Sequence, residues 1–258
     1  MANVVSALFP IGISFAFMVA NVLCLLAVLA LNRRAGPSTT AKAAPEPPTE
    51  VIDQRLEPSD ILGWEFEYAR VTASEAMNER HTMVNFYLLA AGVVASGVAV
   101  TLDRDTRLPT AVGTALFWLL CSIGWLYFLG IIRLRQAWHD SARAMNQIKA
   151  FYIEHSGERE GHRLRDAFRW QDKTLPPPDR PWTVYFYSSM LIALLNSAAY
   201  VGGGALLHYG ATGTFAIVVL IPLTAFGLAF FAFHVWLYFA FLKENDLGRR
   251  GSDVEAER

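Results

Sequence analysis

Charge is what this sequence has least of. Only 17% of its 258 residues are Asp, Glu, Lys or Arg, against about 25% in soluble proteins. The formal net charge of -1 gives no general attraction for polyanions, which argues against a nucleic-acid partner. Cysteine is equally scarce. Two residues, Cys24 and Cys121, both inside apolar runs, leave no disulfide framework. There is no Gly-rich phosphate loop, Cys-rich zinc pattern or Ser/His/Asp arrangement. The Glu-x-x-His pairs of a carboxylate-bridged metal bundle are missing as well. The residues therefore call for no enzyme activity, cofactor or metal.

Apolar residues fill the space that charge leaves. They make up 53% of the chain, above the roughly 45–50% of soluble domains even with glycine counted there. They gather in five blocks, Phe9–Asn32, Met83–Leu102, Pro109–Ile132, Thr183–His208 and Thr214–Leu242. Each meets the length of about 20 residues that a membrane-crossing helix needs. The first block has no Lys or Arg before it and Arg33-Arg34 after it. That is the reverse of a secretory leader, so it reads as a retained anchor. The bulky Leu23 before Cys24 argues against lipoprotein processing.

Orientation follows from the basic residues. With the N-terminus outside, 20 of the 22 Lys and Arg residues fall in cytoplasmic segments, and only Arg104 and Arg107 lie outside. The expectation is an all-α membrane protein of the cell inner membrane. It would have five transmembrane helices, the N-terminus outside and the C-terminus cytoplasmic.

Between the blocks the sequence divides further. Residues 1–34 form the anchor, and 35–58, with Pro37, Pro45, Pro47, Pro48 and Pro58, read as a linker. No proline follows until Pro109. Ile61, Trp64, Tyr68 and Val71 recur at helical spacing and run into the second span without a breaker. After the third span, Trp138, Ala142, Met145, Ile148 and Tyr152 do the same, ending near His155-Ser156-Gly157. The reading for 59–157 is two continuous helices, about 60–102 and 110–155, each roughly 65–70 Å long. They would form an antiparallel hairpin that carries spans two and three into the cytoplasm. Folded about residue 106, it would set Glu79 near Arg133, Glu75 near Arg135 and Glu67 near Arg143.

Residues 158–182 hold a basic amphipathic stretch and a proline-rich lead. Arg163, Arg165, Phe168 and Arg169 are candidate membrane-surface contacts, with Trp182 at headgroup level. Residues 183–242 carry the last two spans, and 243–258 read as a disordered tail.

The spans contain no Asp, Glu, Lys or Arg away from their ends. Among polar side chains, Asn196 and His234, with Pro222 in the same span as the histidine, are candidates for a mid-membrane pocket. A packing role for all three is the more economical reading. Small residues at Gly92–Ser96 and Ala198–Gly202, with Gly203 and Gly204 beyond, favour close helix approach.

The wide apolar stripes of the hairpin exceed what two helices can cover. Trp64, Tyr68, Trp138, Met145 and Tyr152 therefore form the candidate face for a homo-oligomer or a partner membrane subunit. The leading expectation is a non-enzymatic scaffold, sensor or effector embedded in the lipid bilayer. The layout resembles that of two-span bacterial effector hairpins with long juxtamembrane helices, a likeness of architecture without a shared motif. A small channel or transporter is the alternative. An accessory subunit of a membrane redox complex is the second, although the histidines lie at depths that do not suit one bis-histidine haem.

Overall fold

The computed structural model describes residues 58–102, 107–155 and 175–256, with isolated helical positions between 12 and 23. Its side chains are described over 62–100, 110–155 and 175–243. Most of the predicted first span, the linker 35–58 up to its last residue, and the basic stretch with Arg163, Arg165, Phe168 and Arg169 lie outside the described residues. Every described element is helical, and four helices are long and apolar enough to cross a membrane.

The first, α1, runs Pro58–Leu102, and α2 runs Arg107–His155. Pro58 opens α1 at a position where its missing N–H costs nothing, and no second proline interrupts the helix. Its inward residues, Ala69, Ala73, Ala76, Arg80 and Tyr87, follow the helical repeat. Trp64, Tyr68, Phe86, Leu89 and Val93 occupy the opposite, exposed side. The two helices run antiparallel. Val98 lies over Gly113, Met83 over Gly130, and the Lys149 ammonium sits 5.9 Å from the centre of the Phe66 ring.

Helix α3 spans Val184–Thr212. Thr183 caps its start, accepting the Phe186 N–H at 3.2 Å, an arrangement worth about 1 kcal/mol. Gly213 closes the other end at φ 71°, donating to the Tyr209 carbonyl. Only glycine takes that left-handed conformation without strain. Against α3, α2 again packs antiparallel. Thr114 Oγ1 donates to the Gly203 carbonyl at 3.3 Å, and Trp118 fills the space a side chain at Gly203 would need.

Helix α4, Ile217–Ala256, returns beside α3, with Val201 against Gly227 and Phe186 edge-on to Tyr238. The core lies mainly among α2, α3 and α4. It is built from Trp125, Phe128, Ile192, Tyr200, Phe230 and Tyr238, with Tyr87 reaching in from α1.

Three expectations need correction. The stretch 243–258, read as a disordered tail, is helical as far as Ala256. A helix already nucleated in an apolar run extends cheaply through compatible polar residues, and no proline lies beyond Pro222 to stop it. Arg135 does not turn towards Glu75. Its Nε and Nη2 donate to the carbonyls of Pro178 and Pro177 at 3.1 and 3.3 Å. Two fixed carbonyls and an aromatic surface hold the guanidinium better than one flexible, exposed carboxylate. Glu67, expected beside Arg143, pairs with Arg70 one turn along its own helix at 2.5 Å.

Candidate functional site

Asn196 and His234 meet in the middle of the bundle, both fully buried. Asn196 lies twelve residues into α3, about 18 Å from its start. His234 Nδ1 donates to the Phe230 carbonyl one turn back at 2.8 Å. That leaves Nε2 with its lone pair, facing the Asn196 amide nitrogen at 3.4 Å. Asn196 Oδ1 in turn accepts the Tyr87 hydroxyl at 2.5 Å. The donors point one way throughout, from Tyr87 through Asn196 and His234 to a backbone carbonyl, which fixes the neutral imidazole tautomer. Three helices are tied together by this relay.

Aromatic rings wall the imidazole. Trp125 stacks on it with centroids 4.1 Å apart, while Phe128 and Phe230 meet it edge-on at 4.8 and 4.7 Å. With no carboxylate in any span, a charged imidazolium would be costly there. The arrangement suits a neutral histidine that accepts one hydrogen bond and donates another.

Gly124 makes the relay possible. A Cβ at this position would overlap Asn196 Oδ1 and lie 2.6 Å from the Tyr87 hydroxyl. Pro222, the third member of the predicted pocket, stands apart. Twelve residues of α4 separate it from His234, about 18 Å of helix, and it is only half-buried. Tyr87 and Gly124 were not anticipated from the sequence. The signal for them was the pairing register of α1 and α2, which sets Tyr87 opposite residues 124 and 125.

The other candidate face divides. Trp64 and Tyr68 are 63% and 71% exposed, and Val71 continues the same side of α1. Tyr152 is open on α2, beside Phe151. Trp138 and Met145 are half-buried. Trp138 is occupied by the Arg135 guanidinium, 4.8 Å above its ring.

No protein-family model, curated protein or solved structure matches the chain.

Proposed function

We propose that this is a non-enzymatic multi-pass protein of the cell membrane, with its C-terminus cytoplasmic, that acts as a scaffold, sensor or effector by self-association. In this reading the polar halves of α1 and α2 form a helical hairpin projecting into the cytoplasm. The observation that carries it is the exposed Trp64–Tyr68–Val71 side of α1. Trp64 lies 19 residues before the charge-free run beginning at Met83, about 28 Å of helix. Lipid tails do not reach that far, so water is the alternative neighbour. Covering a tryptophan or tyrosine there is worth about 2–3 kcal/mol each. The inward side of the same segment, with Ala69, Ala73 and Ala76, is already used within the chain.

The occupant favoured is a second copy of the chain, because one continuous stripe meeting its symmetry mate gives an isologous contact without further elements. Native mass spectrometry on protein taken directly from its membrane tests this. A homo-oligomer lost on Trp64→Glu with Tyr68→Glu supports the reading. A fixed stoichiometry with a different protein replaces it with an accessory-subunit role.

The channel or transporter reading draws on the Tyr87–Asn196–His234 relay. The polar atoms of that relay are directed at one another, which favours helix packing over passage of a solute. Conductance or uptake abolished by Asn196→Leu together with His234→Leu, in a protein that still assembles, would reverse this preference.

A further inference from the structure

Two arginines are buried at one rim of the bundle, beside one tyrosine. Arg80 is 6% exposed, Arg135 3% and Tyr185 5%. Their guanidinium carbons lie 4.9 and 5.7 Å from the centre of the Tyr185 ring. The two positive charges are therefore no more than about 11 Å apart in a poorly solvated place, where like charges repel strongly. Among the described residues, neither forms an ion pair with a carboxylate. Arg80 Nη2 donates to His81 Nε2 at 2.6 Å. Arg135 spends two of its five N–H groups on the Pro177 and Pro178 carbonyls. The Asp179 carboxylate acts on Arg135 through charge without forming an ion pair, and among the described residues the remaining N–H groups of both forks make no carboxylate contact. Tyr185 Oη, buried between them, also has no hydrogen-bond partner among the described residues.

The three residues come from three helices and share one depth. Arg80 precedes the charge-free run at Met83 by three residues, Arg135 follows the run ending at Ile132 by three, and Tyr185 stands two beyond the cap Thr183. On the membrane reading, this is the level of the phosphates of the cytoplasmic leaflet. The positive end of the α3 dipole points to the same place.

We propose that Arg80, Arg135 and Tyr185 form a binding site for a phosphate-bearing anion, supplied by the headgroup of an anionic phospholipid of the cytoplasmic leaflet or by free phosphate. One phosphate diester accepts from both guanidinium forks and from the Tyr185 hydroxyl, and its charge offsets the repulsion between the arginines. The bound anion would fasten α1, α2 and α3 together at their membrane exit.

The test uses the full chain in nanodiscs of phosphatidylcholine with a minor fraction of phosphatidylglycerol. Native mass spectrometry then reads the lipid retained after detergent exchange. The wild type is expected to keep one phosphatidylglycerol per chain. Arg80→Gln and Arg135→Gln should each lower that retention about tenfold, and Tyr185→Phe about threefold. Added inorganic phosphate that leaves the lipid in place assigns the site to lipid, and displacement assigns it to the free anion. Equal retention of both lipids by the wild type, or undiminished selectivity in the arginine variants, overturns the proposal. If the glutamine variants do not fold, Arg80→Lys and Arg135→Lys keep the charge and lose the fork. Wild-type selectivity in both lysine variants and in Tyr185→Phe overturns it equally.

Discussion

The Asn196 side chain occupies the space that a residue larger than glycine at position 124 would fill. The two positions face each other across the contact between α2 and α3. Gly124→Ala is expected to push the amide off both Tyr87 and His234, at a cost of about 2–3 kcal/mol. Thermal unfolding in detergent would register it. Asn196→Ala in the same chain should restore space, so the double variant should lose less than the two single losses combined.

Asn196→Leu leaves the Tyr87 hydroxyl and His234 Nε2 facing an apolar side chain. A loss of about 1–2 kcal/mol is expected, the range seen for hydrogen bonds between membrane helices. Tyr87→Phe in that background should cost nothing further, because the hydroxyl has already lost its acceptor. Thermal unfolding of the single and double variants would show whether the relay behaves as one unit.

Trp64→Glu with Tyr68→Glu should reduce the oligomer to single chains and lower the melting temperature only by the interface stabilisation lost. Both residues are exposed in the isolated chain, so their replacement removes no internal packing. Size-exclusion chromatography with light scattering separates the two effects. A lower melting temperature without a change of mass would mean that these rings pack within the chain.

The ends of α3 offer a measurement independent of membrane function. Thr183→Ala removes the acceptor for the Phe186 N–H and should cost about 1 kcal/mol. Gly213→Ala forces a β-carbon into left-handed backbone and should cost a similar amount. The sites lie at opposite ends of a 29-residue helix. Their effects on unfolding should therefore add.

The Glu67–Arg70 pair predicts a near-absence of pH effect. The Arg70 guanidinium holds the Glu67 carboxyl below its ordinary range, first through the hydrogen bond and then through charge. Any stability the pair supplies is present above the ordinary carboxylate range and is lost as pH falls through the depressed value in the folded state. Both side chains are well exposed, so solvent screening should leave the melting temperature of Glu67→Gln equal to that of the wild type at neutral pH.

The four described apolar helices are legible in the sequence for simple physical reasons. Charge-free runs mark apolar helices, and the gap without proline from Ser59 to Leu108 marks where α1 can continue unbroken. Asn196 and His234 stood out because polar groups are costly in such runs. Their partners were harder to see. Tyr87 resembles any aromatic residue in a span until the register of α1 against α2 is known, and Gly124 acts only through the room it leaves. Arg135 was expected beside Glu75, and nothing in the sequence separates Arg80 from any other basic residue next to a span. The burial of both arginines depends on α3 bringing Tyr185 between them, a tertiary contact that no local pattern encodes.

The alanine side of α1 has a mechanical consequence. Ala69, Ala73 and Ala76 give α2 a smooth surface with few protrusions to interlock, so this half of the helix is held by closeness rather than by keyed shapes. Trp64 and Tyr87 belong to the same unbroken rod, about 35 Å apart along its axis. A twist of the helix at the Trp64 end would therefore carry through to the hydroxyl that closes on Asn196.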